Sequence, residues 1–174
     1  MRSLAILMLA LALSGAALAR ETKSYSLGSA GTMQLDIEDG WKETPAPPDS
    51  GAAISIAAKT AGQMNLLLTP LPGAKSDDVV KQEVKSTADR VGPDSVEKTL
   101  TLQPLRGAET RGYYFKATDP APKPGDYKFM YQGVVAVGSN LFVTFIVLYN
   151  GGAEKDADAA LAAVKGLRLA KTRA

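Results

Sequence analysis

Leu141-Phe142-Val143-Thr144-Phe145-Ile146-Val147-Leu148-Tyr149 holds one polar residue, Thr144, and neither glycine nor proline. Successive side chains of a strand point to opposite faces. One face of this stretch carries Leu141, Val143, Phe145, Val147 and Tyr149; the other carries Phe142, Thr144, Ile146 and Leu148. Both faces are apolar. The stretch therefore predicts a strand covered from both sides, in a sheet lying between two other layers.

Working backwards, Gly138-Ser139-Asn140 predicts a tight turn from a strand over 127–137, and residues 108–117 predict the strand before that. The proline-rich stretch 118–126 joins those two. Three consecutive, turn-linked strands predict an antiparallel meander. Residues 96–103 alternate Val, Lys, Leu, Leu against Glu, Thr, Thr, Gln, which predicts a further strand near an edge, closed by a turn at 104–107. Forwards, Asn150-Gly151-Gly152 ends the sheet and residues 153–169 predict a helix, with Ala157, Ala160, Leu161 and Val164 on its repeat. Glu154, Asp156 and Asp158 at its start, and Lys165, Arg168, Lys171 and Arg173 at or after its end, complement the helix dipole.

The first half of the chain predicts strands over 24–27, 32–37, 52–58 and 63–69, then a helix over 76–91. Ser76 is its expected cap, Asp77 and Asp78 fall in its first turn, and Val80, Val84, Ala88 and Val91 make one apolar stripe. Gly92-Pro93 ends it. The order ββββ-α-ββββ-α predicts an α+β fold, a three-layer α/β/α sandwich around a mostly antiparallel sheet.

Residues 1–19 read as a secretory signal peptide: Arg2 at the start, an apolar run over 4–13 too short to span a bilayer, and Ala17-Leu18-Ala19 as the cleavage pattern. Residues 20–174 are then one domain, periplasmic or secreted, with no membrane span after cleavage and no cysteine to carry a lipid. Of the 20 basic residues only Arg2 is removed, leaving 19 against 18 acidic ones. That balance excludes nucleic acid as the expected partner. The chain has no cysteine and no histidine. Disulfides, thiolate sites, imidazole metal sites and the Ser-His-Asp and Cys-His arrangements are all excluded.

Gly40-Trp41 follows an early hairpin; Gln132-Gly133-Val134-Val135-Ala136-Val137 pairs with Leu141-Phe142-Val143-Thr144-Phe145; a helix closes the chain. In this layout most of residues 20–174 resembles the PsbP-like family of α/β/α sandwiches. That family includes the extrinsic photosystem II subunit, a nuclear transport factor relative and many exported bacterial proteins. The resemblance implies a non-enzymatic binding or assembly domain. The metal-binding histidines of some relatives have no counterpart here.

Ser95-Val96-Glu97-Lys98 has the Ser-x-x-Lys spacing of penicillin-recognising enzymes, but it follows Gly92-Pro93 and leads into an expected strand, and no Lys-Thr-Gly follows. Asp36, Glu38 and Asp39 could offer oxygens to calcium, though the loop motif with its distant Glu is missing. Asp36, Glu38, Glu109 and Asp126 are the carboxylates that a histidine-free hydrolase would need to bring together. Trp41, the only tryptophan, is either a stacking surface or a ring capping the core.

The aromatic residues give a second candidate. Arg111, Tyr113 and Phe115 share a face of one expected strand; Tyr127, Phe129 and Tyr131 share a face of the next. If these faces coincide they form an aromatic bed with an arginine at its rim, suited to a peptide or apolar ligand. Otherwise the rings are core beneath a helix. The candidate ligand or partner surface is thus Trp41, Arg111, Tyr113, Tyr127, Tyr131 and Tyr149, with no catalytic residue, metal or cofactor expected. These readings point to an exported, non-enzymatic binding or accessory domain that contacts an envelope protein or a small ligand. The alternatives are an apolar small-ligand carrier and a histidine-free carboxylate hydrolase.

Overall fold

The computed structural model describes residues 20–170. The expected signal peptide, residues 1–19, lies outside the described residues, as do Lys171 and Arg173 of the basic tail. The elements are β1 (Arg20–Ser26), β2 (Thr32–Glu38), β3 (Lys42–Thr44), β4 (Ile54–Ala57), β5 (Met64–Pro72), α1 (Asp77–Val91), β6 (Gln103–Arg106), β7 (Thr110–Thr118), β8 (Phe129–Val137), β9 (Leu141–Tyr149), α2 (Glu154–Lys165) and β10 (Arg168–Ala170).

Seven strands form one sheet in the order β3-β4-β5-β9-β8-β7-β6, with β9 at its centre. A smaller sheet has the order β1-β2-β10. Every strand pair is antiparallel. The expected meander is β7-β8-β9, and the nine residues of β9 pair along their whole length with both β8 and β5.

Helix α1 starts where its cap chemistry dictates. The Val79 amide donates to Ser76 Oγ, and Asp77 and Asp78 occupy the first turn. Its buried stripe, Val80, Val84 and Ala88, packs with Phe115, Ala117 and Val134 on one face of the large sheet. Helix α2 buries Ala157, Ala160, Ala163 and Val164 on the other face, beside the small sheet. Its alanines let the backbone lie close to β9 and β2. The result is the expected α/β/α sandwich, with β1, β2 and β10 extending the α2 layer.

Three local expectations differ. Residues 96–102 are not a strand: Lys98 has φ +58°, and the Glu97 carboxylate accepts from the Thr118 amide and hydroxyl, so side-chain bonds replace a ladder. The strand starts later, and the expected turn at 104–107 is mostly β6. Helix α2 stops at Lys165, and Arg168–Ala170 turns back to pair with β2. There the Arg168 guanidinium makes a two-pronged bond to Asp36 at 2.7 and 2.9 Å and donates to Gln34 at 3.1 Å.

An open lane on the sheet as the candidate functional site

The two faces of β9 meet different fates. Leu141, Val143, Phe145, Val147 and Tyr149 are buried under α2 and the small sheet. Phe142, Thr144, Ile146 and Leu148, expected to be covered, are only half-buried. The reason is geometric. Helix α1 packs on β7 and β8, and a helix about 10 Å wide shields roughly two strands spaced about 4.8 Å apart. Beyond it lies the half-buried row of β9, with Phe142 opposite Leu71, Thr144 opposite Thr69, Ile146 opposite Leu67 and Leu148 opposite Asn65 of β5; on the β5 side Leu67 is buried and the Thr69 hydroxyl donates to the Gly51 carbonyl, so the loop before β4 closes part of that side.

This lane has an apolar floor and a polar frame. Helical spacing puts Val79, Glu83, Ser86 and Arg90 on the α1 flank that borders it. On the far side Thr44, Ser55 and Asn65 bond to one another across three strands, at 2.8 and 3.0 Å. Leu71 and Val79 are 41% and 48% exposed and sit at one end. That end forms a hollow of about 330 Å³ in which the Lys75 ammonium lies 3.9 Å from the Phe142 ring centre and pairs with Glu83. The opposite end widens into a groove of about 700 Å³ between the last turn of α1 and the proline-rich loop. Val91, Met130, Leu148 and Tyr127 line it, and Arg90, Asp94, Asp119 and Lys128 stand around it. Arg90 bonds only to the Thr87 hydroxyl, and Lys128 lies over Phe129; neither has a carboxylate partner among the described residues.

Of the six residues singled out from the sequence, Tyr127 alone lines this groove, and burial raises its pKa. The expected aromatic bed does not form. Tyr113 pairs with Val134 on the α1 face, while Tyr131 pairs with Lys116 and Phe129 pairs with Thr118 and Tyr149, all on the α2 face. A one-residue offset in register sends the two aromatic sets to opposite sides of the sheet. Tyr113 and Arg111 lie past α1 from the lane; the Tyr113 hydroxyl donates to Asp77 at 2.7 Å and accepts from Arg106 at 3.1 Å, tying β6 and β7 to the start of α1. Arg111 is exposed. Tyr131 and Tyr149 are core, 3% and 7% exposed, with ring centres 5.0 Å apart. Burial raises both pKa values, Tyr131 well beyond the ordinary tyrosine range. Trp41 is also buried, at 4% exposure, within the larger apolar core.

The remaining candidates are engaged structurally. Ser95 is buried and donates to the Gly92 carbonyl, while Lys98 donates to the Pro93 carbonyl, so the two make no nucleophile-base pair. Asp36 is held to a pKa of about 2 by the Arg168 guanidinium and then by the Thr22 hydroxyl. Glu38 pairs with Arg20, Glu109 accepts from the Leu169 amide, and Asp126 sits in the proline-rich loop. Among the described residues no three acidic side chains are grouped to hold a metal. The lane itself was missed from the sequence. Its signal was the apolar second face of β9 in a chain with one helix available for that side.

No protein-family model matches the chain, and no curated protein matches it in sequence. Solved structures do match it in fold. Cyanobacterial PsbP from Synechocystis sp. PCC 6803 aligns at TM-score 0.51 and 12% identity, over 92% of this chain and 99% of that one. LpqN of Mycobacterium tuberculosis, a protein involved in cell envelope biogenesis, aligns at 0.51 and 13% over 86% and 91%. A Bacteroides thetaiotaomicron VPI-5482 protein aligns at 0.50 and 15%, over 80% of this chain and 45% of that one. At these identities the likeness is one of fold: the chain has a PsbP-like fold.

Proposed function

We propose that this chain is an exported accessory domain of the cell envelope that works by contact and catalyses no reaction, and that the open lane beside α1 is its contact surface. The observation that carries this reading is the half-exposed apolar face of β9, continued by Leu71 and Val79. Monomeric proteins seldom leave a contiguous apolar strip on an otherwise covered sheet, and such strips mark interaction sites. Export rests on the reading of residues 1–19 as a cleaved signal peptide, and the envelope on that reading and on the fold shared with LpqN. The lack of histidine and cysteine, with carboxylates tied into structural pairs, supports the non-enzymatic part.

The test compares residues 20–174 immobilised as wild type and as Ile146→Asp, each exposed to an envelope extract. A species retained by the first and lost from the second is expected. Equal retention by both, or none by either, overturns the reading. Amino-terminal sequencing of the exported protein is expected to begin at Arg20.

A second reading, an apolar-ligand carrier, is favoured by the groove of about 700 Å³ over Met130 and Leu148. Native mass spectrometry of freshly purified protein decides it: a retained small-molecule mass supports the carrier, and a bare polypeptide mass removes it.

A further inference from the structure

We infer that Glu38 is the binding site of the mature amino terminus. Removal of residues 1–19 frees an α-ammonium at Arg20, and that cation pairs with the carboxylate oxygen that the rest of the fold leaves buried and unbonded. This rests on the reading of residues 1–19 as a cleaved signal peptide and adds what the cut does to the fold.

The oxygen comes first. The Glu38 side chain is 13% exposed. Its Oε1 accepts from Arg20 Nε at 3.3 Å. Its Oε2 is shut off from water and has no donor, alone among the buried side-chain nitrogens and oxygens of the described residues. A carboxylate oxygen in that position loses its hydration without replacement, which calls for a strong donor close by. The neighbouring cations are committed elsewhere: Arg168 makes two bonds to Asp36, and Lys23 pairs with Glu21.

Register then puts the amino terminus beside it. Arg20 lies directly opposite Glu38 in the β1–β2 ladder. The Leu27 amide donates to the Gly31 carbonyl, one step past that ladder in the same register. Bonded and non-bonded pairs alternate along antiparallel strands. Counting back by two from Leu27, the residues bonded to β2 are Tyr25, Lys23 and Glu21, and Arg20 with Glu38 is a non-bonded pair. The Arg20 nitrogen is therefore not used by a β2 carbonyl. In such a pair the Cα atoms are about 4.5 Å apart and the side chains close together, which brings the Arg20 nitrogen, like its guanidinium, within reach of the Glu38 carboxylate.

Charge completes the case. In the precursor that nitrogen is a neutral amide joined to Ala19. Hydrolysis of the Ala19–Arg20 bond by the peptidase that removes signal peptides consumes one water. It leaves a carboxylate on Ala19 and an ammonium with three donors on Arg20. An ionised donor facing an ionised acceptor makes the stronger class of hydrogen bond. Strand β1 is at a sheet edge and pairs only with β2, so this bond clamps its free end. The domain gains the contact only after the cut.

The test uses the mature protein purified from exporting cells. Its amino-terminal sequence is read first, and Arg20 is expected. The α-amine alone is then converted to a ketone by transamination with pyridoxal phosphate, in wild type and in Glu38→Gln. Wild type is expected to lose about half a molar from its urea midpoint, the size of one partly exposed ion pair; Glu38→Gln is expected to lose nothing. In wild type alone, the Glu21 and Lys23 amides should exchange with deuterium about fivefold faster after transamination. An unchanged wild-type midpoint, an equal loss in Glu38→Gln, or unchanged exchange at Glu21 and Lys23 overturns the inference and leaves the cleavage reading standing. A first residue other than Arg20 overturns both.

Discussion

Replacing Asp36 with Asn should weaken the fold by about 1 kcal/mol near neutral pH, and the effect should disappear in acid. The carboxylate accepts two bonds from Arg168 and one from Thr22 at 2.6 Å, and so fastens β10 to β2 and β2 to β1. Its pKa falls from 3.8 to about 2 in the folded chain. At 1.36 kcal/mol per pH unit that drop corresponds to roughly 2.4 kcal/mol for a fully shielded pair. Asp36 and Arg168 are 33% and 35% exposed, however. Solvent screening reduces the expected figure to about 1 kcal/mol. The folded pKa lies below the unfolded one, so the contribution is complete above pH 4 and is lost as the pH falls toward 2. The assay is urea unfolding of residues 20–174 as wild type and as Asp36→Asn, at pH 6, 4, 3 and 2. With a slope of about 2 kcal/mol per molar, the midpoints should differ by about half a molar at pH 6 and converge at pH 2. A difference that is absent at pH 6, or that persists unchanged at pH 2, would refute the latch.

The unequal faces of β9 can be read by truncation. Phe145→Ala, at a fully buried position, should cost about 3–5 kcal/mol, and Leu148→Ala, on the open lane, under about 1, as measured by urea midpoints; similar losses at both sites would mean the lane is covered. Gly133→Ala should be among the most damaging small substitutions, since its Cβ would run into the Tyr113 carbonyl and the Tyr114 side chain, lowering stability by about 3 kcal/mol or leaving no folded protein. Gly151→Ala, which meets open space, should stay within about 0.5 kcal/mol and serves as the control. Trp41 should emit at shorter wavelength in the folded than in the unfolded chain and resist acrylamide quenching, because it is buried; strong quenching would return it to the surface.

The parts of the fold that were legible from the sequence are those in which one physical signal acts alone. An unbroken apolar run marked β9, turn signals marked β7 and β8 before it, helical spacing with a Ser76 cap marked α1, and Gly138-Ser139-Asn140 marked the hairpin between β8 and β9. Signals failed where side chains from distant segments intervene. Alternation in 96–103 was real but irrelevant, because Glu97 bonds to Thr118 and Lys98 adopts a positive φ that no strand permits. Alanine-rich periodicity ran past the true end of α2; Gly166 was the stop signal, and Arg168 leaves the helix for Asp36, 132 residues away in the chain.

The site was hidden for a different reason. Periodicity tells which faces are apolar, but not how many strands each helix shields. A count would have exposed it. Seven strands about 4.8 Å apart make a sheet over 30 Å wide, and one helix of about 10 Å covers a third of it. The α2 face meets that demand with a second sheet, β1-β2-β10, spread beside its helix. On the α1 face the helix lies over β7 and β8 and the loop before β4 reaches Thr69 of β5, which leaves the β9 row between them half-buried. Thr110, buried beneath the end of α2 and donating to the Lys165 carbonyl at 2.6 Å, shows how fully the closed face is finished. On the other side, Ile146 and Leu148 retain contact with water although strand geometry gives them the same access to a core as Val147. Side chains whose apolarity has no matching folding role are the ground of the proposed contact surface, and a count of two helices against two faces of unequal demand is the sequence feature that bears on it.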